Sequence, residues 1–295
     1  MRVSRAPSAE AAPRREPSVH TFLGLHGPLI TAVTLSLFFA GMVVTERGYF
    51  LLREDHVFES LTAALFLMAS SLCALGALLR KGPGATRFWV LAWGVAFLVM
   101  GMEEISWGQR LFGVETPGLL ESLNQQEEIN LHNLDSHRVN TLLSVGAFAV
   151  GVGLPAAGMT GGRAALLLRR WRVVLPPPHF VAPLAVAVAF VEPGWMTKTP
   201  LMWAVLGLAF GFFAYVLAAR ASGGRAVAPR LPTSHAVAGL VGVALIPALL
   251  GAFEGRLQHE SNPSEFKEFL FATLALIFAV WAAARLPQRE PALLE

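Results

Sequence analysis

The sequence predicts an all-α fold, a polytopic transmembrane helical bundle of about eight spans with both termini cytoplasmic. Three observations carry that expectation. Of the 295 residues, 54% are hydrophobic and only 15% charged, where a soluble domain carries about a quarter charged residues. The missing charge is unevenly spread, since long uncharged runs alternate with short charged clusters. Finally, Lys and Arg gather on alternate loops, the bias that orients membrane helices.

Residues 1–24, with Arg2, Arg5, Arg14 and Arg15 among Ala, Pro and Ser, read as a disordered cytoplasmic tail. The tail is too long and too polar to be an ordinary cleaved signal peptide, so the first span is expected to remain as a signal anchor. A span needs about 20 apolar residues. Within a transmembrane domain over 25–286, the candidates are 27–45, 57–79, 87–107, 139–160, 178–195, 199–219, 233–253 and 266–284, followed by a second cytoplasmic tail at 287–295. The fifth is the weakest. Pro176, Pro177 and Pro178 interrupt its start and Glu192 cuts it short, which predicts a short or kinked span.

With the amino terminus inside, 16 Lys and Arg are cytoplasmic and seven lie outside: Arg47, Arg53, Arg110, Arg138, Lys198, Arg256 and Lys267. The alternation holds across all eight spans, which points to a multi-pass protein of the cell (inner) membrane. The same placement excludes nucleic acid as the reason for the basic pI, because the arginines sit in short loops between apolar spans. Trp107, Trp195 and Tyr49 near outer boundaries, and Trp89, Trp171 and Trp281 near inner ones, read as interfacial anchors. Cys73 is the only cysteine, which excludes an intrachain disulfide and a thiolate metal site. No Walker motif or large soluble domain is present, which argues against ATP-driven work by this chain alone.

The acids are as lopsided as the bases. Sixteen of 20 lie on the outer side, with His56, His132, His137 and His259. Acids contribute little to orientation, so the asymmetry calls for its own explanation, a polar site at the extracytoplasmic face. Glu103 and Glu104 close the third span at the bilayer edge, where an unpaired carboxylate is costly. If the helix continues, Glu103, Ser106 and Arg110 share a face. Glu103, Glu104 and Arg110 are therefore the catalytic candidates, the alternative being a Glu–Arg clamp that only holds helices together.

The outer loop 108–138 is expected to be structured. Thr116-Pro117 reads as a helix start, and Leu119, Leu120 and Leu123 offer one apolar side for a helix on the membrane surface. His132 and His137, with Asp135 between them, are candidate metal ligands, and a divalent metal is the candidate cofactor. Five residues apart, the two histidines would not share a helix face. A polar loop with Asp135 or Ser136 capping the fourth span is the favoured alternative.

Further substrate-binding or structural candidates are Asp55, Glu59, Asn133, Glu254 and Glu268. The segments Glu46-Arg47-Gly48…Glu59 and Glu254-Gly255-Arg256…Glu268 are similar in spacing and orientation, as a parallel internal repeat would give. That repeat sets Glu59 and Glu268 at equivalent positions. Asn262 and Pro263 read as a helix start with Glu265 completing a capping box.

The stretch Glu-Glu-Ile-Ser-Trp-Gly-Gln-Arg-Leu-Phe-Gly-Val-Glu-Thr-Pro at 103–117, with Gln126, Glu128 and Leu131-His132-Asn133, resembles a bacterial family of multi-pass membrane proteins to which no activity is attached. The resemblance implies that these positions define the family. Similarity to the CAAX-type intramembrane proteases stops at Glu103-Glu104. Gly108 stands where their motif has arginine, Arg110 is two positions late, and His137 precedes Asn140 by three residues instead of four. No catalytic role is carried across.

Three functions are weighed. A hydrolase or transferase acting on a lipid or lipid-linked substrate explains ionisable groups at headgroup depth. A non-catalytic scaffold would use the outer polar cap to dock a protein partner. A transporter or channel would use Pro155, Pro183 and Pro247 to break its helices.

Overall fold

The computed structural model describes residues 19–45, 57–118, 129–130, 136–159, 162–190, 200–222, 231–253 and 263–286. The fold is all helical. Its long elements are α1 (Val19–Thr45), α2 (Val57–Leu79), α3 (Gly84–Glu104), α9 (Pro200–Ala221), α10 (Thr233–Ala252) and α11 (Pro263–Ala284). Between α3 and α9 lie shorter pieces: α4 (Gln109–Phe112), α5 (Ser136–Phe148), α6 (Leu154–Met159), α7 (Arg163–Arg170) and α8 (Pro178–Val188). A π-helical turn, Ala149–Gly153, joins α5 to α6, and together they form one span over Thr141–Met159.

Among the described residues, seven helices are long and apolar enough to cross a membrane, so this is a multi-pass membrane protein. Their outward faces suit that setting, because Leu37, Phe38, Leu208 and Leu245 are exposed and an apolar surface on all sides belongs in lipid. The first helix begins at Val19, inside the segment read from sequence as tail.

The fifth predicted span is short, as the prolines at its start and Glu192 lead one to expect. α8 has 11 residues and rises about 16 Å, half of the ~30 Å hydrocarbon core. It is nevertheless the hub of the molecule. Val181, Ala182, Ala185 and Val188 belong to a core shared with α9 and α10. Val186, Ala187 and the following Phe190 face α1 and α11, and Phe180 joins the core of α2, α3 and α11. A helix apolar all round is stable only when covered on every side, and α8 is so covered.

Around this hub, α2 and α11 run parallel with α3 antiparallel to them. Small residues permit the close approach, as is usual where lipid removes the hydrophobic incentive to associate. A Cβ on Gly76 would lie 2.9 Å from Ala283 Cβ, one on Gly94 3.2 Å from Cys73 Cβ, and one on Gly101 3.0 Å from Leu67 Cγ.

The end of the bundle bearing Arg80, Arg87 and Arg285 is tied by its arginines and tryptophans. Arg80 donates to the Leu286 carbonyl (3.1 Å) and Arg87 to that of Ala77 (2.7 Å), satisfying carbonyls at helix ends. Trp89 and Trp93 donate to the carbonyls of Trp171 (2.9 Å) and Val174 (2.7 Å). The Arg285 guanidinium lies 4.2 Å from the Trp281 ring centre. Trp89, Trp171 and Trp281, read as anchors, thus bind the loops of that end together.

Candidate functional site

The carboxyls cluster at the opposite end. α3 stops at Glu104, and Ile105 caps it. The chain then makes a turn in which Ser106 (φ 48°), Trp107 (φ 56°) and Gly108 (φ 81°) are all left-handed. Two non-glycine residues in that region are uncommon, and such strain persists only where the surroundings enforce it. The enforcement is visible. Trp107 Nε1 donates to Glu103 Oε1 (2.6 Å) and Asn130 Nδ2 to Ser106 Oγ (3.3 Å). Gln109 ties the loop at both ends of its amide, donating to Thr116 Oγ1 (2.6 Å) and accepting from the Ile129 N–H (2.7 Å).

This corrects one expectation. The helix does not continue past Glu104, so Glu103, Ser106 and Arg110 do not form a single helical face. The left-handed turn reverses the chain and brings Trp107 back over Glu103. The segment Glu-Glu-Ile-Ser-Trp-Gly-Gln-Arg therefore divides. Ser106, Trp107 and Gln109 are a knot that fixes the loop to α3, whereas the two glutamates sit at the end of the helix beneath it.

Glu103 and Glu104 are 9% and 7% exposed, and Lys267 of α11 is 5% exposed. Four carboxyls act electrostatically on Glu104: Glu268 and Glu265 of α11, Glu59 of α2, and Glu103. Three elements thus bring their acids to one place. Ser264 Oγ donates to Glu268 Oε1 (3.5 Å), a long bond across one turn of α11. Glu59 and Glu268 do lie at the same end of two parallel helices, the arrangement that the repeat-like spacing anticipates. α11 begins at Pro263 as the proline signal requires.

Below these groups lies a slot of about 450 Å³. α3, α5, the π turn, α8 and α11 form its walls, almost wholly apolar. Glu103, Glu104, Lys267, Glu268 and Ser144 supply its polar atoms. Trp93, Phe180 and Phe278 line the far end. The ring centres of Trp93 and Phe278 are 5.0 Å apart and those of Phe180 and Phe278 6.0 Å. Between α3 and α5 the wall opens toward the bilayer, where Val99 (40%), Leu142 (70%) and Leu143 (41%) line the slot yet remain exposed. The π turn belongs to this wall. Pro155 cannot donate to the carbonyl of residue 151 and its ring crowds it, and a π-helical turn absorbs the misfit. Gly151 there faces α8, where a Cβ would lie 2.9 Å from Leu184 Cδ1.

The remaining predicted residues stand differently. Asp55, His132, Asn133 and Glu254 lie outside the described residues, as do the side chains of Arg110 and His137. Leu119, Leu120 and Leu123 do so as well. Among the described residues, no group of three or more His, Cys, Asp and Glu converges to hold a metal.

Sequence reasoning missed two features. Lys267 was counted only as an outer base, although a lysine beside Glu268 at the start of an apolar helix is itself a signal. The second is a histidine group at the arginine-bearing end. His26 of α1 and His235 of α10 have ring centres 5.1 Å apart, and His235 Nε2 lies 3.2 Å from the Leu25 carbonyl oxygen. His179 of α8 interacts electrostatically with both and with Arg285. Its Nε2 is buried without a hydrogen-bond partner among the described residues. These histidines lie on three helices far apart in sequence, so no spacing announces them.

No protein-family model matches the chain, and no curated protein or solved structure matches it either.

Proposed function

We propose that this membrane protein is a lipid-directed hydrolase or transferase whose substrate lies in the slot with its reacting end at the carboxyl cluster. The observation that carries the reading is the slot itself, apolar along its length, open to the bilayer between α3 and α5, and ending on Glu103, Glu104, Lys267 and Glu268. Apolar pockets with a few convergent polar groups are the usual form of a small-molecule site. In this reading Glu104 is the general base. It accepts a proton from the attacking water or acceptor hydroxyl and returns it to the leaving oxygen. Lys267 stabilises negative charge that develops on the substrate, and Trp107 holds Glu103 in place. Arg110, His132 and His137 remain candidate substrate or metal ligands contributed by the loop, with Asn133, Asp55 and Glu254 as further polar residues around it. A divalent metal would join through those histidines. The proposed orientation keeps both termini cytoplasmic and the carboxyl end outside, in the cell membrane.

The test is turnover of a total membrane-lipid extract by the purified protein in nanodiscs, with products read by mass spectrometry. General acid–base groups typically contribute about 10²–10⁴-fold, so Glu104→Gln should lower product formation by at least about 100-fold while the melting temperature is maintained. Equal product from wild type and Glu104→Gln would remove Glu104 as the base, and no product from the wild type would remove the enzymatic reading and leave a scaffold for a protein partner.

A second reading, transport, is favoured by one observation. α8 is a half-length helix at the centre of the bundle, and interrupted helices of this kind are the hallmark of transporter sites. Uptake of a labelled lipid into the opposite leaflet, without a new product, would distinguish it.

A further inference from the structure

The slot's dimensions and charge narrow the ligand, on the premise that a lipid occupies it. From Trp93 to Glu104 along α3, and from Lys267 to Phe278 along α11, the walls each rise by about 16 Å. That equals the depth of one leaflet, half of the ~30 Å hydrocarbon core. The aromatic floor of Trp93, Phe180 and Phe278 closes the slot there, and the Trp93 N–H bond to the Val174 carbonyl (2.7 Å) pins it. Exposed Val99, Leu142 and Leu143 give the slot a lateral opening along α3 and α5, suited to a chain sliding in from the leaflet.

The polar end selects differently from a phosphate site. Among the described residues, five carboxyls (Glu59, Glu103, Glu104, Glu265 and Glu268) gather there against the single ammonium of Lys267. Glu104 is more than nine-tenths buried and lines the slot, and the described groups acting on it are all carboxyls. A phosphate would add like charge to a buried acidic cluster. An ammonium or a hydroxyl would give it donors.

We propose that the slot takes a single-chain lipid of one-leaflet length whose polar end is an amine or hydroxyl rather than a phosphate. The chain enters between α3 and α5, and Trp93 sets its length.

Native mass spectrometry of the purified full chain, challenged with equimolar hexadecylamine, hexadecanol and hexadecyl phosphate, tests this. The amine and alcohol should be retained at least tenfold over the phosphate. Glu104→Gln with Glu268→Gln should erase the preference for the amine over the phosphate without releasing bound chains. Trp93→Ala should shift retention toward a longer alcohol such as docosanol. Gly146→Trp is the control, because Gly146 lines the slot and a Cβ there meets nothing within 4 Å, which leaves room to start a bulky side chain at the opening. It should abolish retention of all three. Preferential retention of the phosphate, or an unchanged length profile in Trp93→Ala, would overturn the ligand assignment while leaving a lipid slot standing. Absence of any retained chain in the wild type would overturn the lipid reading as well.

Discussion

Glu103 and Glu104 are neighbours with different environments, and the difference comes from three residues that follow them. Trp107 reaches back to Glu103 only because Ser106, Trp107 and Gly108 are left-handed. Gly108 tolerates φ 81°, and a Cβ there would also lie 3.0 Å from the Phe112 ring. Gly108→Ala should therefore destabilise the protein by about 1–2 kcal/mol, the approximate penalty for an L-residue in this region. It should also weaken quenching of Trp107 fluorescence by the Glu103 carboxyl. An unchanged melting temperature would show that the turn is not held as described. The sequence draws attention to this segment, because paired carboxylates at a bilayer edge stand out against an apolar background. It could not give the turn, since a left-handed Ser-Trp pair has no periodicity, and Gly108 was the only cue. The assumption that α3 continued therefore placed Arg110 on a face that does not exist.

At the scale of elements, close approach is bought with glycine. On α10, a Cβ at Gly239 would collide with the Phe213 ring of α9, whereas one at Gly207 of α9 meets nothing within 4 Å. Gly239→Ala should cost about 1–3 kcal/mol, the usual range for overpacking. Gly207→Ala should be neutral or slightly stabilising through helix propensity. Thermal melts in one detergent decide it, and equal losses for both variants would contradict the α9–α10 packing. Seven long spans were legible from hydropathy, as were the prolines and Glu192 that single out the fifth candidate. Its centrality was not legible. An 11-residue apolar run reads alike whether it is a truncated span or a helix enclosed by six others, and only the packing of Val181, Val186 and Phe180 into three separate cores distinguishes them. The π turn was equally hidden, although Pro155 supplies its cause.

For the whole molecule, the charge bias that set the proposed orientation also separates two chemistries, carboxyls at one end and arginines with histidines at the other. In a Cys73→Ser background, Val114→Cys at the carboxyl end and Trp171→Cys at the arginine end are both well exposed, at 51% and 65%. A membrane-impermeant maleimide added to intact cells should label Val114→Cys and not Trp171→Cys. The reverse pattern would invert the protein in the membrane. Convergence of acids from α2, α3 and α11 was partly legible, through the matched spacing of Glu59 and Glu268. The slot beneath them was not, because its lining is ordinary apolar sequence, indistinguishable from lipid-facing residues until the helices are assembled.

The proposed ligand is a lipid chain that occupies this slot with its head at Glu104. Photo-crosslinking with an alkyl diazirine carried on a single-chain amine, followed by peptide mapping, tests it most directly. Labelling should concentrate on residues 93–104 and 142–151 and be lost in Gly146→Trp. Labelling spread over lipid-facing positions such as Leu37 and Leu208, and unchanged by Gly146→Trp, would contradict it.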